Sequence, residues 1–597
     1  MLDLITRAGR PILVFVASLT AMGAGTATAD QARVLRAQEY GAVGDGQTDD
    51  GPAIQRMVAD ALAHSGPVEM RFAPDRVYYS DRGADRYLFR LEGAHGVSID
   101  GGGSVFLLSP NLRFLDAERC VDLGVRNLKV DFEPLPFIDA GVAAVDADAR
   151  WVEVRLPRGL PAERQPGPAT GQDGEQLFFG IVWNRGDYGV DTSMHYVVGE
   201  VTPPARGQST WRIGLADGHG VDFSQIKPGR SRISLPIPGV AHRYGPGHCV
   251  RIQTSSDVVF EDVEVWSAPW FAFGVFENLG PVSFYRTHVR RKPGSQRLTS
   301  AWRDAFHAKQ NRGPLLWDGS VLTGMNDDAF NIAYHTAIFV EPETPRRFGV
   351  RQDFPLQIAS LHPGDELVLF HPPTGELSQA LRVVEVEGET QTMFRNGQPV
   401  SPTVMVEVDA DAPAWAVAGE TRLWNRTASN PDTTIRNVYA EQSCRMRSPM
   451  TIEDSVFRSL VWFHAEQVET PIPHDLVIRR NEFTRGRGNP TSAVVFNAYI
   501  APHQPDGTRP MSRNIVFEDN TVRGGMVVRN VESMTLRNNR FAEEGAELSF
   551  RNVTDVVLEH NRSATGAFTP PDAHGEAAPQ WVNVGRDAWR SGEERSK

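Results

Sequence analysis

The chain has 597 residues, more than one ordinary globular core accommodates, so the length predicts several domains or an elongated repeat body with insertions. Hydrophobic residues make up 41%, enough to bury a core, which excludes a chain disordered throughout. The net charge of −13 comes from interspersed acids and bases with no long basic run, so nucleic acid and an anionic membrane are poor partners.

Arg7 and Arg10 precede the apolar run PILVFVASLTAMGAG, and Ala27 and Ala29 suit cleavage before Asp30. This is the pattern of an export signal, and it predicts a periplasmic or secreted mature protein with no membrane span. The next distinctive stretch is EYGAVGDGQTDDGPAIQ, Glu39–Gln55. Its Gly-rich turn and its Thr, Asp and Pro before a helical pattern predict a capping helix. Asp45, Asp49 and Asp50 read there as turn and cap residues.

An octet then recurs: LGVRNLKV at Leu123, VVFEDVEV at Val258, VSFYRTHV at Val282, TTIRNVYA at Thr433 and MTIEDSVF at Met450. It continues as LVIRRNEF at Leu476, IVFEDNTV at Ile515, MTLRNNRF at Met534 and VVLEHNRS at Val556. Short β-branched runs, a polar turn often holding Asn, and a period of roughly 20–25 residues predict an all-β, right-handed parallel β-helix. Two β-rich stretches break the period. Their length demands secondary structure of their own, and they predict two small inserted β-barrels. The expected division is a signal segment 1–29, N-terminal coils with the capping helix 30–133, and a first barrel 134–245. Catalytic coils 246–335, a second barrel 336–423, C-terminal coils 424–568 and a loosely ordered tail 569–597 complete it. Cys120, Cys249 and Cys444 are too widely spaced for a disulfide scaffold or a zinc site.

RDAFHAKQN begins at Arg303 and NDDAFNIAY at Asn326, so Asp304 and Asp328 share an Asp-Ala-Phe context 24 residues apart. That offset is one coil. In a β-helix, residues one coil apart stack at roughly 4.8 Å. Asp304 and Asp328 are therefore expected on neighbouring rungs, with Asp327 beside them. Clustered carboxylates raise one another's pKa, and a protonated acid beside ionised ones is what glycoside hydrolysis uses. Spacing alone does not separate Asp327 from Asp328 as the acid.

The segment RDAFHAKQNRGPLLWDGSVLTGMNDDAFNI resembles the signature region of glycoside hydrolase family 110, the inverting α-1,3-galactosidases. Asp304, Ala305 and His307 match its first motif. Met325, Asp327, Asp328, Ala329 and Asn331 match its second. Where the family continues Asn-Val-His-Gly, this chain has Asn331-Ile332-Ala333-Tyr334-His335. The resemblance implies a β-helix interrupted by two barrels and exo-acting removal of terminal α-1,3-linked galactose from a glycan by inversion. It implies Asp327 as general acid, with Asp304 and Asp328 together as base. Polygalacturonases of family 28 share the acid spacing, but the Gly-His-Gly and Arg-Ile-Lys signatures that follow their acids are not found after Asp328 here.

Candidate sugar contacts surround the acids: Trp302 for stacking, and Arg303, His307, Lys309, Asn331 and His335 for hydroxyl groups. Glu277 falls about one coil earlier, and Arg445 and Arg447 fall on the first coil after the second insertion. A carbohydrate substrate is the expected partner, with no organic cofactor and no metal ligand set. Two rival readings use the same residues. Lys309 and Arg303 would suit a polysaccharide lyase, and the solenoid alone would suit a non-catalytic glycan-binding adhesin.

Overall fold

The structure is a computed structural model that describes residues 32–564, apart from short stretches such as 161–164, 167–178, 238–246, 353–359 and 501–508. The signal-like segment 1–29 and the tail 569–597 lie outside the described residues. Among the described residues no helix is long and apolar enough to cross a membrane.

The body is a parallel β-helix. Helix α1 (Gly51–Ala63) carries Pro at its first turn and buries Ala53, Ile54, Met57, Val58 and Ala61 against the first coils. It closes the end of the stack as the composition of Glu39–Gln55 predicts. Asp50 accepts hydrogen bonds from the backbone of Val43 (2.6 Å) and Gly44 (3.1 Å), so its role is to tie the turn before the helix.

One sheet of 23 strands wraps two faces of the solenoid, and a second sheet of 12 strands forms the third face. The octets lie in the first sheet, where Val258, Val282 and Leu315 stack in parallel register. Five consecutive strands of the second sheet matter for the site: β1 (Val250–Gln253), β2 (Phe273–Phe276), β3 (Phe306–Lys309), β4 (Phe330–His335) and β5 (Cys444–Met446). Phe273, Phe306, Phe330 and Cys444 form one inward row. The rings of Phe273 and Phe306 stack at 4.8 Å, and those of Phe306 and Phe330 at 5.6 Å. Like residues in like positions on successive coils make the core a set of stacked ladders. All three cysteines are buried and free within it.

Two ladders of buried Asn, the second of them made by the octets' recurring Asn, have a physical cause. At one corner of the coil Asn278, Asn311 and Asn430 are buried. Each side-chain amide reaches the next, Asn278 Nδ2 donating to Asn311 Oδ1 at 2.8 Å and Asn311 Nδ2 to Asn430 Oδ1 at 2.7 Å. Asn481, Asn520, Asn539 and Asn561 make a second ladder at another corner. Each rung needs both neighbours, because an unpaired buried amide costs about 1–3 kcal/mol. Asn311→Ala strands Asn278 and Asn430 together, so it should lower stability by about 2–4 kcal/mol. A melting curve unchanged from wild type would refute this account of the ladder.

The two interruptions are barrels. Six antiparallel strands between Phe137 and Pro236 close on themselves. Six strands between Ala337 and Asn425 also pair in a closed circuit. Each is seated beside the acid-bearing strands. Trp302, one residue before Arg303, is 1% exposed and stacks on Phe137 of the first barrel at 6.2 Å. Arg297 Nη1 lies 2.6 Å from the buried Asp131 just before that barrel. The second barrel leaves directly from the end of β4. Its buried Asp365 pairs with Arg312 of the solenoid and accepts from Asn425 Nδ2 at 2.7 Å.

Candidate active site

The register across β3 and β4 pairs Phe306 with Phe330 and His307 with Asn331, an offset of 24 residues. The same offset aligns Asp304 with Asp328 just ahead of the strands, where Ala305 N donates to the Asp328 carbonyl at 2.9 Å. The three acids meet: Asp304, Asp327 and Asp328 each place one carboxylate oxygen within 4.8 Å of the others. This agrees with the one-coil reading and is set by the rung spacing of roughly 4.8 Å.

The three environments differ. The side chain of Asp304 is 1% exposed, that of Asp328 4% and that of Asp327 12%, so Asp327 is the one most open to solvent. His307 Nδ1 lies 2.7 Å from Asp304 Oδ2, while Asp304 Oδ1 is buried with no hydrogen-bond partner among the described residues. Asp328 is tied on both oxygens: Ser443 Oγ donates to Oδ1 at 2.7 Å and Arg445 Nε donates to Oδ2. Asp327 Oδ2 lies 3.2 Å from Arg303 Nε. The Arg303 guanidinium in turn covers the rings of Trp270 (5.4 Å) and Phe271 (5.5 Å).

Burial, followed by the charge of Asp328, pushes the Asp304 carboxyl up to about 7. Burial also raises Asp328, against the opposing pull of Arg445. Burial holds the His307 imidazole well below its usual range, so it is neutral, and the hydrogen bond to Asp304 carries one shared proton. Three close oxygens are also a donor set for a hard cation, but here Arg303 and Arg445 supply the counter-charge.

Several expected sugar contacts are placed differently. Trp302 is a core residue of the barrel seat and offers no face to a sugar. Lys309 is 1% exposed, its ammonium donating to Asn331 Oδ1 at 2.6 Å and Glu469 Oε1 at 2.7 Å. Arg447 is fully buried between Glu466 and Glu469, at 2.8 Å from each. These two basic residues hold other side chains and are not surface donors. Asn331 and His335 are nearly buried; Asn331 accepts from Lys309 and Arg447, and His335 Nδ1 lies 3.0 Å from Gln310 Oε1. Glu277 is half-buried at a left-handed backbone position, reached by Gln253 at 3.4 Å and Gln310 at 3.3 Å, and burial raises its carboxyl. Arg303, His307 and Arg445 keep part of their side chains open.

Sequence reasoning missed several neighbours, among them Ser443 beside Asp328. His248 packs on Phe271 at 4.9 Å and lies 6.2 Å from the His307 ring. Gly274 makes room for it, since a Cβ there would meet His248 Cδ2 at 2.5 Å. His464, Glu466 and Glu469 come from β6 (Val461–Glu466) and β7 (Glu469–Thr470). They fall outside the octets, and β7 is only two residues long, so no periodicity pointed to them.

No family model matches the chain. It is similar over most of its length to proteins described as α-1,3-galactosidases. With α-1,3-galactosidase B of Bacteroides thetaiotaomicron it shares 22% identity over 544 residues, 82% of each chain. With α-1,3-galactosidase A of Streptomyces avermitilis it shares 24% identity over 568 residues, covering 84% of this chain and 85% of the relative. Among solved structures it is similar to the catalytic unit of an α-1,3-glucanase from Streptomyces thermodiastaticus, with TM-score 0.34 and 10% identity over 94% of this chain and 72% of that one. It is also similar to the surface adhesin PfbA of Streptococcus pneumoniae, with TM-score 0.34 and 11% identity over 89% of this chain and 84% of that one.

Proposed function

We propose that the protein is an exported, exo-acting glycoside hydrolase that releases terminal α-1,3-linked galactose by inversion. The observation that carries the reading is the meeting of three carboxylates from two consecutive coils, an oxygen of each within 4.8 Å of the others. The distant α-1,3-galactosidases and the family 110 motif support the choice of sugar and linkage.

Asp327 is the general acid in this reading, because of the three it is the most open to a leaving oxygen. Asp304 and Asp328 act together on the attacking water. The unpartnered Asp304 Oδ1 is the acceptor, and Ser443 and Arg445 hold Asp328 in place. A base with a pKa near the working pH is the more effective one, which suits a carboxyl raised to about 7.

Inverting pairs stand roughly 6.5–9.5 Å apart to admit water, and retaining pairs roughly 5–5.5 Å. The oxygens here are closer than the wider range. Inversion therefore requires Asp327 to turn away from the other two, exchanging Arg303 for the leaving sugar. NMR of the first product tests this. The β-anomer should appear first from an α-linked substrate; an early α-anomer would mean retention and would reassign Asp304 or Asp328 as nucleophile.

The function itself is tested by incubation with a panel of α-1,3-galactosides and sulfated galactans. Free galactose is expected. An unsaturated product absorbing in the ultraviolet would instead indicate a lyase, and binding without turnover an adhesin. The burial of Lys309 in its pair with Glu469 disfavours the lyase, which needs an accessible base.

A further inference from the structure

Among the described residues the sheet beside the acids is parallel except at one place. β7 turns back and pairs antiparallel with the end of β4, setting Glu469 opposite His335. Glu469 Oε1 accepts from Lys309 Nζ at 2.7 Å, and its Oε2 lies 2.8 Å from Arg447 Nη2 and 3.8 Å from Arg445 Nη1. Arg445 is thus held at both ends. Its Nε faces Asp328 Oδ2, while its Nη1 faces Glu466 and Glu469, each at 3.8 Å. Lys309 and Arg447 both donate to Asn331 Oδ1, and Asn331 stands in register with His307, the partner of Asp304.

We infer that Glu469 is a positioning residue of the reaction centre: its carboxylate fixes Arg445 against Asp328 and holds the Lys309–Asn331 wall beside His307 and Asp304. The inference rests on the hydrolase reading of the three aspartates. It assigns Glu469 no contact with substrate.

The charges converging there come from five strands. They are His307 and Lys309 on β3, His335 on β4, Arg445 on β5 with Arg447 just after it, His464 and Glu466 on β6, and Glu469 itself, with Arg303, Asp304, Asp327 and Asp328 ahead of β3 and β4. Burial alone would raise Glu469, but Arg447, Lys309 and Arg445 outweigh it and hold the carboxyl well below its usual range. Glu466 is likewise brought down to about 2, against burial, by His464 and Arg447. Both are anions at every working pH. Burial places His335 and His464 below the ordinary imidazole range, so neither adds charge near neutrality.

Removing one permanent anion makes the potential at the aspartates more positive, which favours their ionised forms. Glu469→Gln should therefore lower the carboxyl midpoint of Asp304 and the acid limb of kcat/KM together, by about half to one pH unit. Glu469→Asp keeps the charge and should keep the midpoint. Lys309→Met/Glu469→Gln removes one charge of each sign and leaves neither partner stranded, so it guards against misfolding of the single variant. Its midpoint should return toward wild type. The measurements are ¹³C titration of selectively labelled Asp carboxyls, with Asp304 assigned from Asp304→Asn, and a pH profile of hydrolysis on an aryl α-galactoside. A folded Glu469→Gln protein whose Asp304 midpoint is unmoved would overturn the inference, however much activity it had lost. A moved midpoint in a chain that hydrolyses no galactoside would uphold the electrostatic link and sink the proposed function.

Discussion

Asp327→Asn leaves a folded protein whose kcat on a natural α-galactoside falls by about 10²–10⁴-fold, the usual worth of general acid catalysis. The amide keeps the size of the acid but has no proton to give a leaving oxygen. Folding should survive, because Arg303 also rests on Trp270 and Phe271 and Asp327 is the least buried of the three acids. The loss should shrink on an activated aryl galactoside, whose leaving group departs without protonation. Asp304→Asn and Asp328→Asn should show no such rescue, since they impair the water and not the leaving group. Each single change retains one carboxylate at the water; the double change should abolish turnover. Steady-state kinetics on both substrate types decides the matter: Asp327→Asn that hydrolyses the natural substrate at near wild-type rate is not missing its acid.

Whether these residues meet at all was legible because a solenoid turns sequence offset into distance. The 24 residues from Asp304 to Asp328 are the same 24 that separate Phe306 from Phe330 in the strand register. The second insertion was visible as a break in that period, and Arg445 could be carried across it, since Asn331 and Arg445 are in register despite the barrel between them. Depth was much less legible. Trp302 and Lys309 flank Asp304 in sequence and look like exposed contacts. One is a bolt under the first barrel and the other the buried partner of Glu469. Alternation assigns a face but does not reveal what is laid over it. Glu469 itself was invisible, because it approaches from an antiparallel return of two residues that shares neither the octet nor the period.

The raised carboxyl of Asp304 has a consequence for stability whose direction depends on pH. In the unfolded chain an Asp loses its proton near 3.8, whereas in the folded site Asp304 holds it to about 7. Between those values the folded state binds more protons than the unfolded one, so stability falls as pH rises. The cost is absent below about pH 4, grows through pH 4–7 and is complete above 7. At about 1.4 kcal/mol for each tenfold difference in proton affinity, it reaches a few kcal/mol. Asp304→Asn cannot ionise and escapes this cost, and its amide can still hydrogen-bond His307 Nδ1. It should therefore match wild type in thermal and denaturant melts near pH 4 and exceed it by about 2–4 kcal/mol at pH 8. A gain of equal size at both pH values would point to packing instead of ionisation. No gain at pH 8 would mean that Asp304 ionises at an ordinary pKa, and its place as a base tuned to neutrality would fall with it. The expected outcome is a variant that is less active and more stable, because gathering three carboxylates within 4.8 Å, two of them buried, costs stability that this site gives up for chemistry.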